Sequence, residues 1–460
     1  LAAATAELLP GRERLGLWTL AVLLTRLPWI TVGYGADPDG YRVVAVARQI
    51  AHGGAYEASR LPGYPAFEYL TALTAWGPAW ITNAVTALFS AAAYLLFALI
   101  LRAFAVARPA LVAAGFAMTP VIYINSCCTM DYVPALACML AALYALLHDR
   151  PGLAGACLGL AVGFRITSAA LALPCCVWLW QRASARAAAR PMLALCGAML
   201  LVAALCFAPV WHRYGAGFFS FYDNPWYPPW DVVSARALPL VWGTLGVVAL
   251  GAAGLSLPLL APSVRRALSA ARTRQGVVFA LLAMALYLVA FLRLPDEAGY
   301  LVPVVPMVLL GLSLVEPPWL VAVLALVLIC SPFIALDRHG LGLRGPILED
   351  HAVRVSQQQS TGAILAAAAR LPGPAVIVAG WVLPRLELAL GTDRQGTHRF
   401  IYLVEGLEDY QHYLADGNRV YFVPGVELYE SQAHELELPE LGAQALSVER
   451  ELQRPASTGE

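Results

Sequence analysis

Long apolar stretches separated by short polar loops recur from the first residues to about residue 336. An apolar run of about 17 to 25 residues crosses the hydrocarbon layer as a helix, and in lipid only helices and closed barrels satisfy their own backbone. The pattern predicts eleven spans, approximately residues 15 to 33, 66 to 101, 109 to 125, 131 to 147, 152 to 164, 166 to 180, 191 to 210, 237 to 261, 276 to 293, 300 to 315 and 318 to 336. Trp76, Gly77 and Pro78 give the second a broken lead-in, and the fifth and sixth are short enough to form one long span instead. Arg12 and Arg14 ahead of Leu15 to Leu24 mimic the start of a signal peptide. Arg26 and Pro28 stand where a small-residue cleavage site would follow, so this span reads as uncleaved.

From about Asp337 the pattern changes, with shorter apolar runs between polar residues. Ser356 to Leu371 reads as a helix, and Ala375 to Ala379, Phe400 to Val404 and Arg419 to Val423 read as buried strands. The expectation is a mostly α chain: a polytopic transmembrane helical bundle over residues 1–336 and a small soluble α/β domain over 337–460. The tail from Arg454 to Glu460 is expected to be disordered.

Composition agrees. Sixty percent of the residues are hydrophobic, 13% are charged, and the mean hydropathy is +0.66, which places the chain among integral membrane proteins. Thirty basic residues, all arginine, balance thirty acidic ones, and nothing in the charge pattern suggests a nucleic-acid partner. Cys127, Cys128, Cys175 and Cys176 lie with most of the nine cysteines in or beside apolar segments, without CxxC spacing or nearby histidine. They read as helix-packing residues and not as a disulfide framework or a metal site. With the N-terminus in the cytoplasm, the inner loops hold twelve arginines, from Arg12 and Arg14 to Arg272 and Arg274, against seven in the outer loops. That bias fixes the expected orientation in the plasma or inner membrane, and an odd number of spans puts the C-terminal domain outside.

The chemistry is expected in the polar exceptions, because an ionisable group inside a span costs about 2.5 to 3.5 kcal/mol on insertion scales and is retained for function. Asp37, Asp39 and Arg60 occupy the first outer loop, Asp131 opens the fourth span, Arg165 separates the fifth and sixth, and Asp296 and Glu297 precede the tenth. All fall on one membrane face. Structural roles compete with functional ones: Asp39 as N-cap of an amphipathic interfacial helix over Val43 to His52, Asp131 as a helix cap, and Arg165 reaching lipid headgroups. Arg26, about 16 Å into the first span at the helical rise, calls for a carboxylate or phosphate partner. The aromatic and proline-rich stretch from Gly215 to Asp231 reads as an interfacial loop, with the wall of a lipid-tail site as the sharper alternative.

At these residues the chain resembles the GT-C superfamily of membrane glycosyltransferases, which includes the protein O-mannosyltransferases and the aminoarabinose transferases. The family's Arg-Leu pair, acidic outer loop and amphipathic helix resemble Arg26-Leu27, Asp37-Pro38-Asp39-Gly40-Tyr41 and Val43 to His52. Its basic residue before a proline pair resembles Arg60 in SRLPGYP, its second acidic residue Asp131 in TMDYVPA, and its Gly-rich span ending in a basic residue GLAVGFRITS with Arg165. Its late aromatic-x-x-Pro-x-x-Pro motif resembles Tyr300 to Pro306, with Gly299 where the family has His or Arg, which moves the expected phosphate contact to Arg293.

The resemblance implies transfer of a sugar from a polyprenyl-phosphate donor to a hydroxyl of a glycan, lipid or protein acceptor outside the cytoplasm, by inverting displacement. A phosphate leaves as a stable anion, so a single carboxylate base suffices where a glycosidase needs two. Asp39 is the expected base, with Asp37 as rival or orienting partner and Asp131 orienting the acceptor or an arginine. Arg60 and Arg165 are expected to hold the leaving phosphate, with Arg26, Tyr41, Arg293, Glu297 and Tyr300 completing the substrate site. No metal ligand set is assigned, although some members of the family use a divalent cation and an Asp-x-Asp pair is able to bind one. A transporter or flippase of a lipid-linked substrate, and a noncatalytic scaffold, are the alternative readings.

Overall fold

The computed structural model describes residues 11–182, 184–222, 227–338, 340–391, 398–402 and 407–423. The chain opens with α1 (Gly11–Leu24) and a 3-10 turn over Leu27–Trp29, where Pro28 removes a backbone donor. After the first polar loop, α2 (Pro38–Ala51) buries Val43, Val44 and Ala47 along one face. The expected second span breaks at Trp76, Gly77 and Pro78 into α3 (Pro65–Ala72) and α4 (Ala79–Ala103). The third breaks into α5 (Pro109–Met118) and α6 (Pro120–Asn125), because Pro120 pushes Thr119 out of the helical region (ψ 131°).

Next come α7 (Tyr132–Leu147), α8 (Pro151–Phe164) and, after a 3-10 segment over Ile166–Leu171, α9 (Ala172–Gln181). Arg165 is extended between them (φ −155°, ψ 114°), so the fifth and sixth segments are separate helices and not one. The bundle continues through α10 (Ala185–Tyr214), α11 (Trp230–Ala237), α12 (Pro239–Ser256), α13 (Ala261–Ser269), α14 (Ala271–Arg293), α15 (Val304–Val315) and α16 (Pro318–Cys330). Among the described residues, five helical stretches are long and apolar enough to cross a membrane: Ala79–Ala103, Arg186–Phe218, Pro239–Ser256, Ala271–Arg293 and Ala298–Val315. The other apolar helices run to no more than 17 residues.

The core centres on α7, which is buried on nearly all sides between α4 and α8. Along the seam between α8 and α10, a side chain at Gly159 would bring its Cβ within 2.5 Å of the Met199 carbonyl oxygen. Close backbone approach of this kind supplies packing where lipid offers no hydrophobic drive. Replacing Gly159 by Val is therefore expected to cost stability, on the roughly 1 to 3 kcal/mol scale of overpacking, and so to lower the thermal unfolding temperature in detergent. An unchanged unfolding temperature would refute the close packing.

Beyond α16, a hairpin of β1 (Ala335–Asp337) and β2 (Gly340–Gly342) leads to α17 (Pro346–Ala368). This helix starts ten residues before the expected Ser356, at the Gly345-Pro346 step, where proline is pre-set for the first turn. Then follow β3 (Ala375–Val378), α18 (Leu383–Leu390), β4 (His398–Ile401), α19 (Leu407–Ala415) and β5 (Arg419–Phe422). The strands form a parallel sheet in the order β4-β3-β5, Ile377 pairing with Phe400 on one side and Tyr421 on the other. The unbroken apolar run of β3 suits a central parallel strand covered on both faces. The expected tail from Arg454 lies outside the described residues. This α/β unit packs on the segments around the first polar loop, with α17 against α6 and α18 against α2.

Candidate active site

Asp37, and not Asp39, is the N-cap of α2: it is extended (φ −76°, ψ 133°), and its Oδ1 accepts the Asp39 backbone N–H at 2.8 Å. Pro38 occupies the first helical turn. A Cβ at position 40 would lie 2.8 Å from the Tyr34 carbonyl oxygen, so only glycine lets the first turn of α2 seat against the loop before it. The expected cap at Asp39 is thereby corrected, and its carboxylate is free for longer-range partners.

Those partners form an alternating ladder of charge. Asp39 Oδ1 pairs with Arg42 Nη1 at 3.1 Å and Oδ2 with Arg60 Nε at 2.9 Å. Arg60 Nη2 meets Asp131 Oδ1 at 2.8 Å, and Asp131 Oδ2 meets Arg165 Nη1 at 2.7 Å. Asp131 stands at the start of α7 but makes no side-chain cap bond, and it is fully buried. Arg165 does not reach for headgroups either, since it is buried against Asp131. Tyrosine rings line the ladder: Arg60 lies 4.0 Å from the Tyr64 ring centroid, and Arg165 lies 4.0 Å from that of Tyr132 and 4.8 Å from that of Tyr300. Cation–π contact offsets part of the cost of holding guanidiniums away from water. Glu68 steadies the loop before Arg60 by accepting Ser59 N–H at 2.8 Å and Ser59 Oγ–H at 2.6 Å.

Beside the ladder, Glu297 accepts a hydrogen bond from the Tyr132 hydroxyl, and carboxylate oxygens of Asp37, Asp39 and Glu297 lie within 4.8 Å of one another. Burial first, then the negative charges of Glu297 and Asp39, push the Asp37 carboxyl up to about 8. Burial also raises Asp39, against the pull of Arg60, and raises Asp296. Glu297 thus adds a third carboxylate to the Asp-x-Asp pair. A divalent cation at this triad would draw on Asp37 and Glu297 and compete with Arg42 and Arg60 for Asp39.

Two cavities flank this cluster. The larger, about 500 Å³, is lined by Asp39, Arg60, Tyr64, Arg165, Arg293 and Tyr300, with Ile166, Tyr287, Ala290, Phe291 and Leu294 as an apolar wall. The smaller, about 270 Å³, holds Asp37, Glu297, Asn125, Tyr132, Arg236 and Asp350, and Asp296 faces both. Arg236 Nη1 donates to the Pro295 carbonyl at 2.6 Å and so fixes the segment that presents Asp296 and Glu297. The volumes fall in or just below the usual range of small-ligand sites.

Two expected site residues lie elsewhere. Arg26 is fully buried with carbonyl, hydroxyl and ring partners and, among the described residues, no carboxylate: Nη2 donates to Ala117 O at 2.5 Å, Nη1 to Val22 O at 3.0 Å, Nε to Ser126 Oγ at 3.2 Å, and the guanidinium lies 4.6 Å from the Tyr123 ring. It knits α1 to α5 and lines neither cavity. Tyr41 packs edge-on against Tyr34 at 5.3 Å, beneath the α/β unit, and also lines neither. Of the described residues in the aromatic loop, Phe218 stacks on Phe207 of α10 and none lines either cavity. Sequence reasoning missed Arg42, Tyr64 and Tyr132, each of which stood inside a motif already singled out: GYRVV, SRLPGYP and TMDYVPA.

Comparison with protein-family models and with curated protein sequences finds no match. Among solved structures, the crystal structure of ArnT from Cupriavidus metallidurans in the apo state matches 94% of this chain and 88% of that one, with a TM-score of 0.53 at 14% sequence identity. The chain therefore has a GT-C-like polytopic fold.

Proposed function

We propose that this GT-C-like chain is a membrane glycosyltransferase that moves a sugar from a polyprenyl-phosphate donor to an acceptor hydroxyl on the extracytoplasmic side, with inversion. The observation that carries the reading is the juxtaposition of a cationic, apolar-walled cavity lined by Asp39 and an acidic one lined by Asp37, with Asp296 lining both. In this reading the donor phosphate lies under Arg60, Arg165 and Arg293, whose planar forks suit its oxygens, and the lipid runs along Ile166, Phe291 and Leu294. The acceptor hydroxyl enters from the smaller cavity. Its oxygen forms the new bond to the anomeric carbon as the bond from that carbon to the phosphate oxygen breaks, and the hydroxyl proton passes to a carboxylate. The guanidiniums stabilise the charge that develops on the departing phosphate.

The geometry favours Asp37 over the expected Asp39 as that base. Both oxygens of Asp39 are held by arginines, whereas Asp37 spends Oδ1 on its cap and faces the acceptor cavity. A proton affinity raised to about 8 also suits a base working near neutral pH. Asp39 and Asp131 then act as positioning residues, setting Arg60 and Arg165 at the donor phosphate. If a divalent cation binds the triad, Asp37 and Glu297 would be its ligands and it would supply further positive charge.

The test is transfer of labelled sugar from polyprenyl-phosphate donors in sealed vesicles. The expected result is product in right-side-out vesicles and none in sealed inverted ones when substrates are supplied from outside. Movement of intact donor across the bilayer without transfer would replace this reading by the flippase one. Activity confined to inverted vesicles would overturn the orientation.

A further inference from the structure

One buried side chain joins the α/β unit to the acidic loops. Arg354, in the second turn-pair of α17, has no exposed surface, and its Nη1 donates to the carbonyl oxygens of Trp29 at 3.0 Å, Val32 at 3.3 Å and Cys127 at 3.2 Å. Its Nη2 lies 2.7 Å from Asp350 one turn earlier. The three carbonyls belong to two loops: the one that ends in Asp37 and the one that ends in Asp131. Gln357, one turn on, donates from Nε2 to the carbonyl of Ala36 at 2.9 Å, the residue before Asp37. From the opposite side, Asn83 of α4 ties the same loops together, donating to Ile30 O and Gly33 O at 2.8 Å and accepting from Thr129 Oγ1 at 2.7 Å. Thr129 N–H in turn donates to Tyr34 O at 2.8 Å.

A guanidinium is costly to bury with one carboxylate partner, and loop carbonyls are costly to bury with none. Nη1 meets the three carbonyls only while α17 is seated on the loops. We infer that Arg354, with Gln357, makes the C-terminal unit a brace that holds the Asp37 and Asp131 loops in register, so that both are positioning residues for the site although neither lines the larger cavity. The kinetic arm of this inference rests on the transferase reading; the structural arm does not.

Gln357→Leu removes one neutral hydrogen bond and leaves Arg354 in place, so it keeps the protein folded. It is expected to lower kcat about three- to tenfold, the scale of one such bond, with KM for the donor unchanged. Arg354→Met is expected to lower kcat about 10²-fold, the scale of a misplacement near 1 Å, and Arg354→Lys to recover part of that loss. In parallel, hydrogen exchange of full-length parent and Gln357→Leu in detergent is read over peptides covering residues 33–41 and 126–131. Faster exchange at the Asp39 and Thr129 amides supports the brace even if no donor is ever turned over. Unchanged exchange overturns it, as does an Arg354→Met protein that loses thermal stability while keeping the parental kcat and pH profile. An inactive parent with faster exchange in the variant sinks the transferase reading and leaves the brace standing.

Discussion

Asp37→Asn is expected to lower kcat by about 10² to 10⁴, the range that a general base contributes, while leaving the protein as thermally stable as the parent. Stability is retained because asparagine caps a helix as well as aspartate does, so the bond to the Asp39 amide survives. The pH profile separates a base from a merely polar neighbour. With its carboxyl at about 8, Asp37 holds a proton below that pH and cannot accept one, so kcat/KM of the parent should climb as pH rises and level off above about 8. The limb should vanish in Asp37→Asn. Asp39→Asn should behave differently, loosening Arg60 and raising KM for the donor more than it lowers kcat. A Asp37→Asn enzyme that works within a few-fold of the parent and keeps the limb would remove Asp37 from the chemistry.

The second large effect falls on Asp131. Asp131→Ala strips a fully buried carboxylate from between Arg60 and Arg165, whose side chains are only 15% and 10% exposed. Breaking a buried pair by removing one partner costs about 3 to 5 kcal/mol, because the remaining charge is left desolvated without compensation. Denaturation in detergent should show a loss of that order, together with weakened donor binding as both guanidiniums lose their set positions. Adding Arg165→Met should return part of the stability, since the double variant buries one stranded charge fewer. If Asp131→Ala unfolds at the parental temperature, the ladder contributes no stability and its assigned role in holding the arginines fails.

The helices were largely legible because lipid demands a length and an apolarity that few residues conceal. The break at Trp76 to Pro78 and the amphipathic helix after Asp37 followed from the local chemistry of proline and from amphipathic spacing. Even the parallel strand Ala375–Val378 stood out as an apolar run too short for a helix. Individual roles were less legible. Arg26 looked like a functional charge, yet Ala117, Val22 and Ser126 satisfy it with oxygens that no spacing rule reveals, because backbone carbonyls carry no sequence signature. In sequence, Asp39 reads as both the cap of α2 and the base, with Asp37 as rival, and only the extended backbone at residue 37 shows that Asp37 is the cap.

What the sequence by itself determined is the membrane character, the order of the helices, the α/β unit at the end and the small set of charged residues from which any site must be built. These are local properties, set by hydrophobic period, proline and charge count. What only the tertiary structure decided is which charges meet: that Asp131 belongs to Arg60 and Arg165, that Glu297 joins Asp37 from a segment far along the chain, and that Arg354 reaches back to Trp29 and Cys127. Those pairings depend on the folding of distant segments against one another, and electrostatic interaction depends on distance and burial, neither of which a linear order of residues contains.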